Sequence, residues 1–434
     1  MIEYDGEWIY ALFCQQLKSG WLVGGESQSI IDRSNQKVAD FTRHQPNFIS
    51  ISTTDLTEFI ADFMAGCRLG IPIFLCNPYW GDTEWEQVSK ITSQVNPQQH
   101  QNLIMIPTGG STGAIKFATH TWETLSASVW GFQEFYAVDK INAICTLPLY
   151  HVSGLMQLIR SIITDGRLLV SNFQQLCIEP NLITNQIELD DYFISLVPTQ
   201  LAKLLDLDPK WLAQFQTILL GGAPPNLDLL NRARSAQLSL ALTYGMTETA
   251  SQVTSLKPAE FLAGNNSCGR VLPHAKIKLR SPNCEIQIEA KSLMLGYFPV
   301  FNSSADFEPD DLGSFDSDGY LTIIGRTSGK IITGGENVFP IEVINAIMLT
   351  GLVADVWVIG LLDRYWGQIV VAVYVENNIP VSGDTLSQAI SGKISKYKIP
   401  KHWVVVDLIP RNSLGKVLIP EIEKLLRAKL DRNS

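Results

Sequence analysis

Short apolar runs alternate with stretches of helical periodicity through the first 260 residues. "NLIMI" (102–106), "NAICTL" (142–147), "YFISLV" (192–197), "TILLGG" (217–222) and "LALTYG" (240–245) predict strands, the first ending at Pro107. Between the first two, "TWETLSASVWGFQEFY" (121–136) predicts an amphipathic helix opened by Thr121. Further helices are predicted around 199–205 and 226–236. Strand–helix alternation of this kind predicts an α/β domain.

The texture changes after Phe261. "AKIKLR", "EIQIEA" and "GYLTIIG" are short, alternating and separated by turn residues, which predicts a small antiparallel β region. After Arg326, "FPIEVINAIML" and "DTLSQAISGKI" predict helices, and "VADVWVIGLL", "GQIVVAVYVE" and "HWVVVDLI" predict strands. The expected architecture is a large α/β domain over residues 1–328 and a small α+β lobe over 329–434. There is no internal repeat.

The 434 residues are 46% hydrophobic, enough for a packed core, and carry a net charge of −10. That charge disfavours a general nucleic-acid binder. Seven cysteines (Cys14, Cys67, Cys76, Cys145, Cys177, Cys268 and Cys284) are scattered without metal-ligand spacing, which fits a reducing compartment. No uncharged apolar run reaches the roughly 18 residues of a membrane span, and the acidic N-terminus lacks a signal pattern. A cytoplasmic protein is expected. Nothing in the chain specifies an oligomeric state.

Candidate chemistry gathers at strand ends. "TGGSTGAIK" supplies Thr108, Gly109, Gly110, Ser111, Thr112, Gly113 and Lys116 directly after a strand. Glycines let backbone N–H groups approach an anion, hydroxyls add donors, and the lysine adds charge. A ligand-free Gly-rich turn between strand and helix fits equally well, and the pattern is not a Walker A loop, because Lys116 follows Ile115. His151 in "LPLYHVSGL" follows a strand end, although a lone histidine is more often a packed one. "GGAPP" places Gly221, Gly222 and Ala223 where a flat ligand could lie against backbone. "TYGMTE" offers Tyr244, Gly245, Thr247 and Glu248: an aromatic face, hydroxyls and a carboxylate suited to Mg2+ beside phosphates, or else a capped turn. Asp311 and Arg326 flank a predicted hairpin, and a carboxylate there could accept two bonds from a ribose diol. Lys416 lies in a turn, "PRNSLGK", and by itself reads as an exposed lysine.

The order of these motifs is more specific than any one of them. "TGGSTGAIK", "PLYHVSGL", "GGAPP", "YGMTE", "DDLG", "GRTSGKIITGGENVFPIEVI", "YWGQIVVAVYV" and "PRNSLGK" together resemble the adenylate-forming acyl-CoA ligase family along residues 103 to 420. The resemblance implies a large N-terminal domain with a mobile C-terminal lobe. It also implies two half-reactions: a carboxylic acid and ATP give an acyl-adenylate, and coenzyme A then displaces AMP. By the same resemblance, the Gly/Ser/Thr loop would wrap the β- and γ-phosphates. Tyr244 with Gly221, Gly222 and Ala223 would hold adenine, and Asp311 and Arg326 the ribose. Thr247 and Glu248 would meet phosphate and Mg2+, and Lys416 would swing in during adenylation. His151 would line the acyl pocket with Ser153 and Thr249 nearby and Arg160 further along the helix. Gly334 and Gly335 would approach pantetheine. Departures from the family pattern are Thr108-Gly109-Gly110 at the loop start, Ile115 and Phe117 around its lysine, Gly329 at the hinge position, and a short region ahead of the loop. Within the family the chain is most similar to the o-succinylbenzoate-activating branch. Another aryl- or medium-chain acyl-CoA ligase, an enzyme loading a carrier protein, and a binding-only relative are the alternatives.

Overall fold

A computed structural model describes residues 5–109, 114–181, 185, 187–281, 284–301, 305–327, 329–334, 336–377, 379–412, 415 and 417–430. Gly110, Ser111, Thr112, Gly113, Gly335 and Lys416 among the candidates lie outside these described residues.

Two sheets flank a shared layer of helices. In the first, Leu168–Val170, Asn142–Cys145, Tyr192–Leu196, Thr217–Leu220 and Leu240–Met246 are parallel neighbours in that order. Ser251–Ser255 then returns antiparallel, followed by Arg270–Val271. In the second sheet, Ile49–Ile51, Ile73–Leu75 and Ile104–Gly109 are parallel, and Ile115–His120, Gly296–Tyr297 and Val300–Phe301 complete it antiparallel. Helices Gly6–Lys18, Leu56–Leu69, Trp122–Tyr136 and Val152–Ile163 share one core with both sheets, in which Ile51 and Ile106 meet Cys145 and Leu219. Thr121 caps the third of these helices through its side chain, as the sequence predicts.

A four-stranded antiparallel sheet (Ala275–Arg280, Glu285–Ala290, Asp311–Phe315, Leu321–Arg326) matches the alternating segments and sets Asp311 opposite Arg326. The C-terminal lobe is a five-stranded sheet, Ile331–Thr333, Glu336–Val338, Val353–Asp363, Gly367–Glu376 and His402–Val405. It carries helices Pro340–Met348, Gly383–Ile390 and Ile419–Leu430. Each face of this sheet has its own apolar cluster, and neither cluster draws a buried residue from before Ile331.

Three expectations change. The strand at 102–106 does not stop at Pro107 but runs to Gly109. It pairs with Ile115–His120, so the Gly-rich loop closes a hairpin instead of joining a strand to a helix. The returning strand is buried from Phe117 to His120, so it shows no alternation for a sequence reading to detect. The helix expected over 384–394 ends at Ile390, where Ser391 turns extended and Gly392 takes φ +78°. The last strand stops at Val405.

The base of the hairpin rests on aromatic rings. Phe74 is fully buried, with Phe117, Phe298 and Phe48 edge-on at ring-centre distances of 5.1, 5.2 and 5.7 Å. Phe74→Ala is predicted to cost about 3–5 kcal/mol in urea unfolding. A loss below about 1 kcal/mol would show that the hairpin does not depend on this cluster.

Candidate active site

The candidate residues gather at the C-terminal ends of the parallel strands, where ligands of open α/β sheets bind. Thr217–Leu220 leads into Gly221, whose Cα hydrogens face the Thr243 hydroxyl; a Cβ there would lie 2.6 Å from Thr243 Oγ1. Gly222 takes φ +82°, open to glycine at little cost. The neighbouring strand delivers Tyr244, whose hydroxyl donates to Asp311 Oδ2 at 2.8 Å while its ring packs near Val253 and Leu321. Arg326 Nε donates to the other oxygen, Oδ1, at 2.9 Å. Asp311 is thus buried and fixed by a phenol and an exposed guanidinium. Burial, and then the adjacent carboxylate, push the Tyr244 phenol above its ordinary pKa, so it remains a donor.

Residues 247–251 form a strained turn. Ala250 has φ +50° and Ser251 φ +102°. Four successive carbonyls are held by four residues from three segments. Thr247 O accepts from His120 Nε2 at 2.8 Å, Glu248 O from Met294 N at 2.9 Å, Thr249 O from Ser292 Oγ at 2.9 Å, and Ala250 O from Ser128 Oγ at 2.8 Å. Gly245 is needed just before this turn, since a Cβ would sit 2.2 Å from Ser251 O. Thr249 does not line a pocket as expected. It is fully buried, and its hydroxyl donates to Ser251 O at 2.6 Å and accepts from Met246 N at 3.0 Å. Glu248 is half-buried and accepts from the Tyr297 hydroxyl at 2.6 Å.

His151 precedes the helix Val152–Ile163, with its ring 4.7 Å from that of Tyr150; Ser153 occupies the first turn, half-buried. Arg160 on the same helix is buried. Its guanidinium donates to Ser251 Oγ at 3.0 Å and Gln252 Oε1 at 3.1 Å, and it lies 4.3 Å over the Phe132 ring. Among the described residues no carboxylate pairs with it, and its Nε has no hydrogen-bond partner. Gln157 Oε1, Gln252 Nε2 and both ring nitrogens of His274 are buried and unpartnered as well. Burial pulls the Arg160 pKa down to about 10, so it remains charged at neutral pH.

The hairpin supplies Thr108, opposite Lys116, and Gly109, opposite Ile115. Lys116 is exposed, with Nζ 5.1 Å from the Tyr297 ring centre. Gly415, in the motif that ends in Lys416, is held from two sides. Arg411 Nη2 holds Asp355 at 3.0 Å, and its Nη1 donates to Gly415 O at 3.1 Å. Gly415 faces Thr199, which follows the strand Tyr192–Leu196; a Cβ on this glycine would lie 3.1 Å from the threonine hydroxyl. Gly415 therefore sits at the same sheet end as Gly222. Gly334 abuts the Trp366 ring in an exposed apolar cluster with Ile332, Leu362 and Tyr365, and Lys330 beside it. No group of three or more His, Cys, Asp or Glu that could cage a metal occurs among the described residues. Nor does any helix there have the length and apolarity to cross a membrane.

This arrangement of a Gly-rich hairpin, a pinned carboxylate turn and a second lobe carrying a lysine defines a class. The chain belongs to the AMP-binding enzyme family. The family's sequence profile matches residues 55–298, and that of the AMP-binding enzyme C-terminal domain matches 342–416. Among its relatives is the 2-succinylbenzoate–CoA ligase of Bacillus subtilis, 30% identical over 365 residues, covering 80% of this chain and 73% of the relative. The indoleacetate–CoA ligase of Aromatoleum aromaticum is 30% identical over 364 residues, covering 77% and 69%. The solved o-succinylbenzoate CoA synthetase of Bacillus subtilis, in complex with its acyl-adenylate intermediate, shares the fold with a TM-score of 0.81. It is 24% identical, covering 95% of this chain and 97% of that one.

His120, absent from the sequence-derived candidates, has a measurable signature. Burial holds its pKa down to about 4, against the bond to Thr247 O, which raises it. A carbonyl only accepts, so Nε2 carries the proton and Nδ1 faces Thr124 Oγ1 at 3.0 Å. The folded pKa lies below the unfolded value of about 6.5. Its contribution is therefore complete above that pH and is lost as pH falls toward 4. The loss is on the order of 3 kcal/mol. His120→Gln is predicted to flatten the stability–pH slope in urea titrations over this window. Equal slopes in both proteins would contradict a neutral buried imidazole.

Proposed function

We propose that this enzyme activates o-succinylbenzoate with ATP to an acyl-adenylate and transfers the acyl group to coenzyme A, in the cytoplasm. The observation that carries the choice of acid is the buried Arg160. An unpaired buried cation is strongly disfavoured, and a well-placed anion relieves it. A monocarboxylic acid has no second charge to offer once its carboxylate reaches the α-phosphate. A keto-dicarboxylate does, and the unpartnered Gln157, Gln252 and His274 atoms supply further polar contacts around the same point. His151 and Ser153, one to three turns back along the chain from Arg160, would line the path to it. An aryl-acetate acid, favoured by the indoleacetate-activating relative, is the second reading.

The same residues suit the nucleotide. Asp311, held by Tyr244 and Arg326, presents a fixed carboxylate to a ribose diol, and the Gly221–Gly222–Ala223 turn leaves room for a base. Mg2+ favours one or two carboxylates plus phosphate oxygens over a protein cage, which fits Glu248 belonging to no group of three or more such ligands among the described residues. When bound, the ion would neutralise phosphate charge. Glu248 and Thr247 would orient it, and the hairpin residues Thr108 to Gly113 with Lys116 would surround the β- and γ-phosphates. Lys416 would stabilise charge on the oxygens during adenylation. A division at 328/329 would put Gly329 at the pivot, and rotation of the lobe would bring Gly334, Gly335 and the Trp366 face toward coenzyme A for the second step.

Two predictions test this reading. Wild-type kcat/KM is expected to favour o-succinylbenzoate over benzoate, 4-phenylbutyrate and octanoate by up to about 10⁴-fold. Arg160→Met should erase that preference while leaving unfolding free energy unchanged or higher by up to about 2 kcal/mol, because an unpaired buried charge is removed. A retained preference in Arg160→Met would overturn the assignment of the acid. Lys416→Ala is expected to slow adenylate formation at least about 100-fold and to spare conversion of presynthesised acyl-adenylate to thioester. Equal losses in both half-reactions would contradict that division of labour.

A further inference from the structure

Tyr297 is not part of any motif discussed above, yet it touches two of them. Its hydroxyl donates to Glu248 Oε1 at 2.6 Å, and its ring carries the Lys116 ammonium at 5.1 Å from the centre. It is also built into the hairpin sheet. Tyr297 pairs with Ala118 and Gly296 with Thr119, and Phe298 N donates to Phe117 O at 2.9 Å. The phenol is half-buried.

We propose that Tyr297 is a positioning residue that aims the Glu248 carboxylate and links it mechanically to Lys116 on the Gly-rich hairpin. The phenol occupies Oε1 and so fixes the direction of the second oxygen. Because the same ring supports Lys116, the hairpin lysine and the carboxylate keep a set separation whenever the strand pair moves. The proposal rests on the reading of Glu248 as the metal-facing carboxylate.

The test is calorimetric binding of ATP and of AMP to the full chain, each with and without Mg2+. Tyr297→Phe, Glu248→Gln and the double variant are compared. Tyr297→Phe retains the ring and is expected to leave the apo unfolding midpoint and AMP affinity unchanged. It should weaken Mg2+-dependent ATP binding about tenfold, the order of one hydrogen bond to a charged group. The double variant should be no weaker than Glu248→Gln alone, since the phenol acts through that carboxylate. Multiplicative losses, or an equal fall in AMP affinity, would overturn the proposal. So would a Tyr297→Phe protein with normal Mg2+ dependence alongside an impaired Glu248→Gln. If Glu248→Gln itself keeps the wild-type Mg2+ dependence, the metal-facing reading falls, and the role of Tyr297 falls with it.

Discussion

The turn from Thr247 to Ser251 is unfavourable on its own, and the rest of the site is arranged around holding it. Two consecutive non-glycine residues with positive φ cost of the order of 1–3 kcal/mol each. Such a conformation persists only where neighbours over-determine it. Here the neighbours are His120 from the hairpin, Ser128 from the helix Trp122–Tyr136, and Ser292 and Met294 from the segment leading to Tyr297. Each binds one carbonyl. The hairpin, the central helix and the segment before the strand Gly296–Tyr297 therefore converge on one piece of backbone. The main chain at Glu248 is held by these bonds on both sides.

Rigidity on one side of the turn has a counterpart on the other. Ser251 and Gln252 follow directly and hold the Arg160 guanidinium, so the turn that aims Glu248 also fixes a buried positive charge. A free protein gains nothing from such a charge without an anion. On the proposed reading, the arrangement would give binding free energy to a dianionic acid and withhold it from an acid with one carboxylate. Discrimination then comes from leaving buried polar atoms unpaired with the wrong substrate.

What could be read from the chain was what is local. The Gly-rich loop, "YGMTE", "DDLG" and "PRNSLGK" are contiguous, and strand periods place them at strand ends before any tertiary contact is known. The Asp311–Arg326 pairing follows from a hairpin register and was legible for the same reason. The hairpin itself was not, because its second strand is buried on both sides and carries no alternation. The stabilising partners were also hidden, since His120 lies 127 residues from Thr247 and Tyr297 lies 49 from Glu248. Thr249 misled because a hydroxyl beside a site looks the same in sequence whether it faces a ligand or closes its own turn. Arg160 was visible as a residue, but its isolation became apparent only once segments more than 90 residues away had folded around it.

Acid-dependent exchange of labelled pyrophosphate into ATP, without coenzyme A, isolates the adenylation step. The exchange reports reversible formation of an acyl-adenylate and nothing later. Exchange is expected to require both o-succinylbenzoate and Mg2+, with thioester formed only after coenzyme A is added. Absence of exchange with o-succinylbenzoate, while octanoate or an arylacetate supports it, would contradict the account of the acid site. Absence of exchange with every acid would contradict adenylation itself.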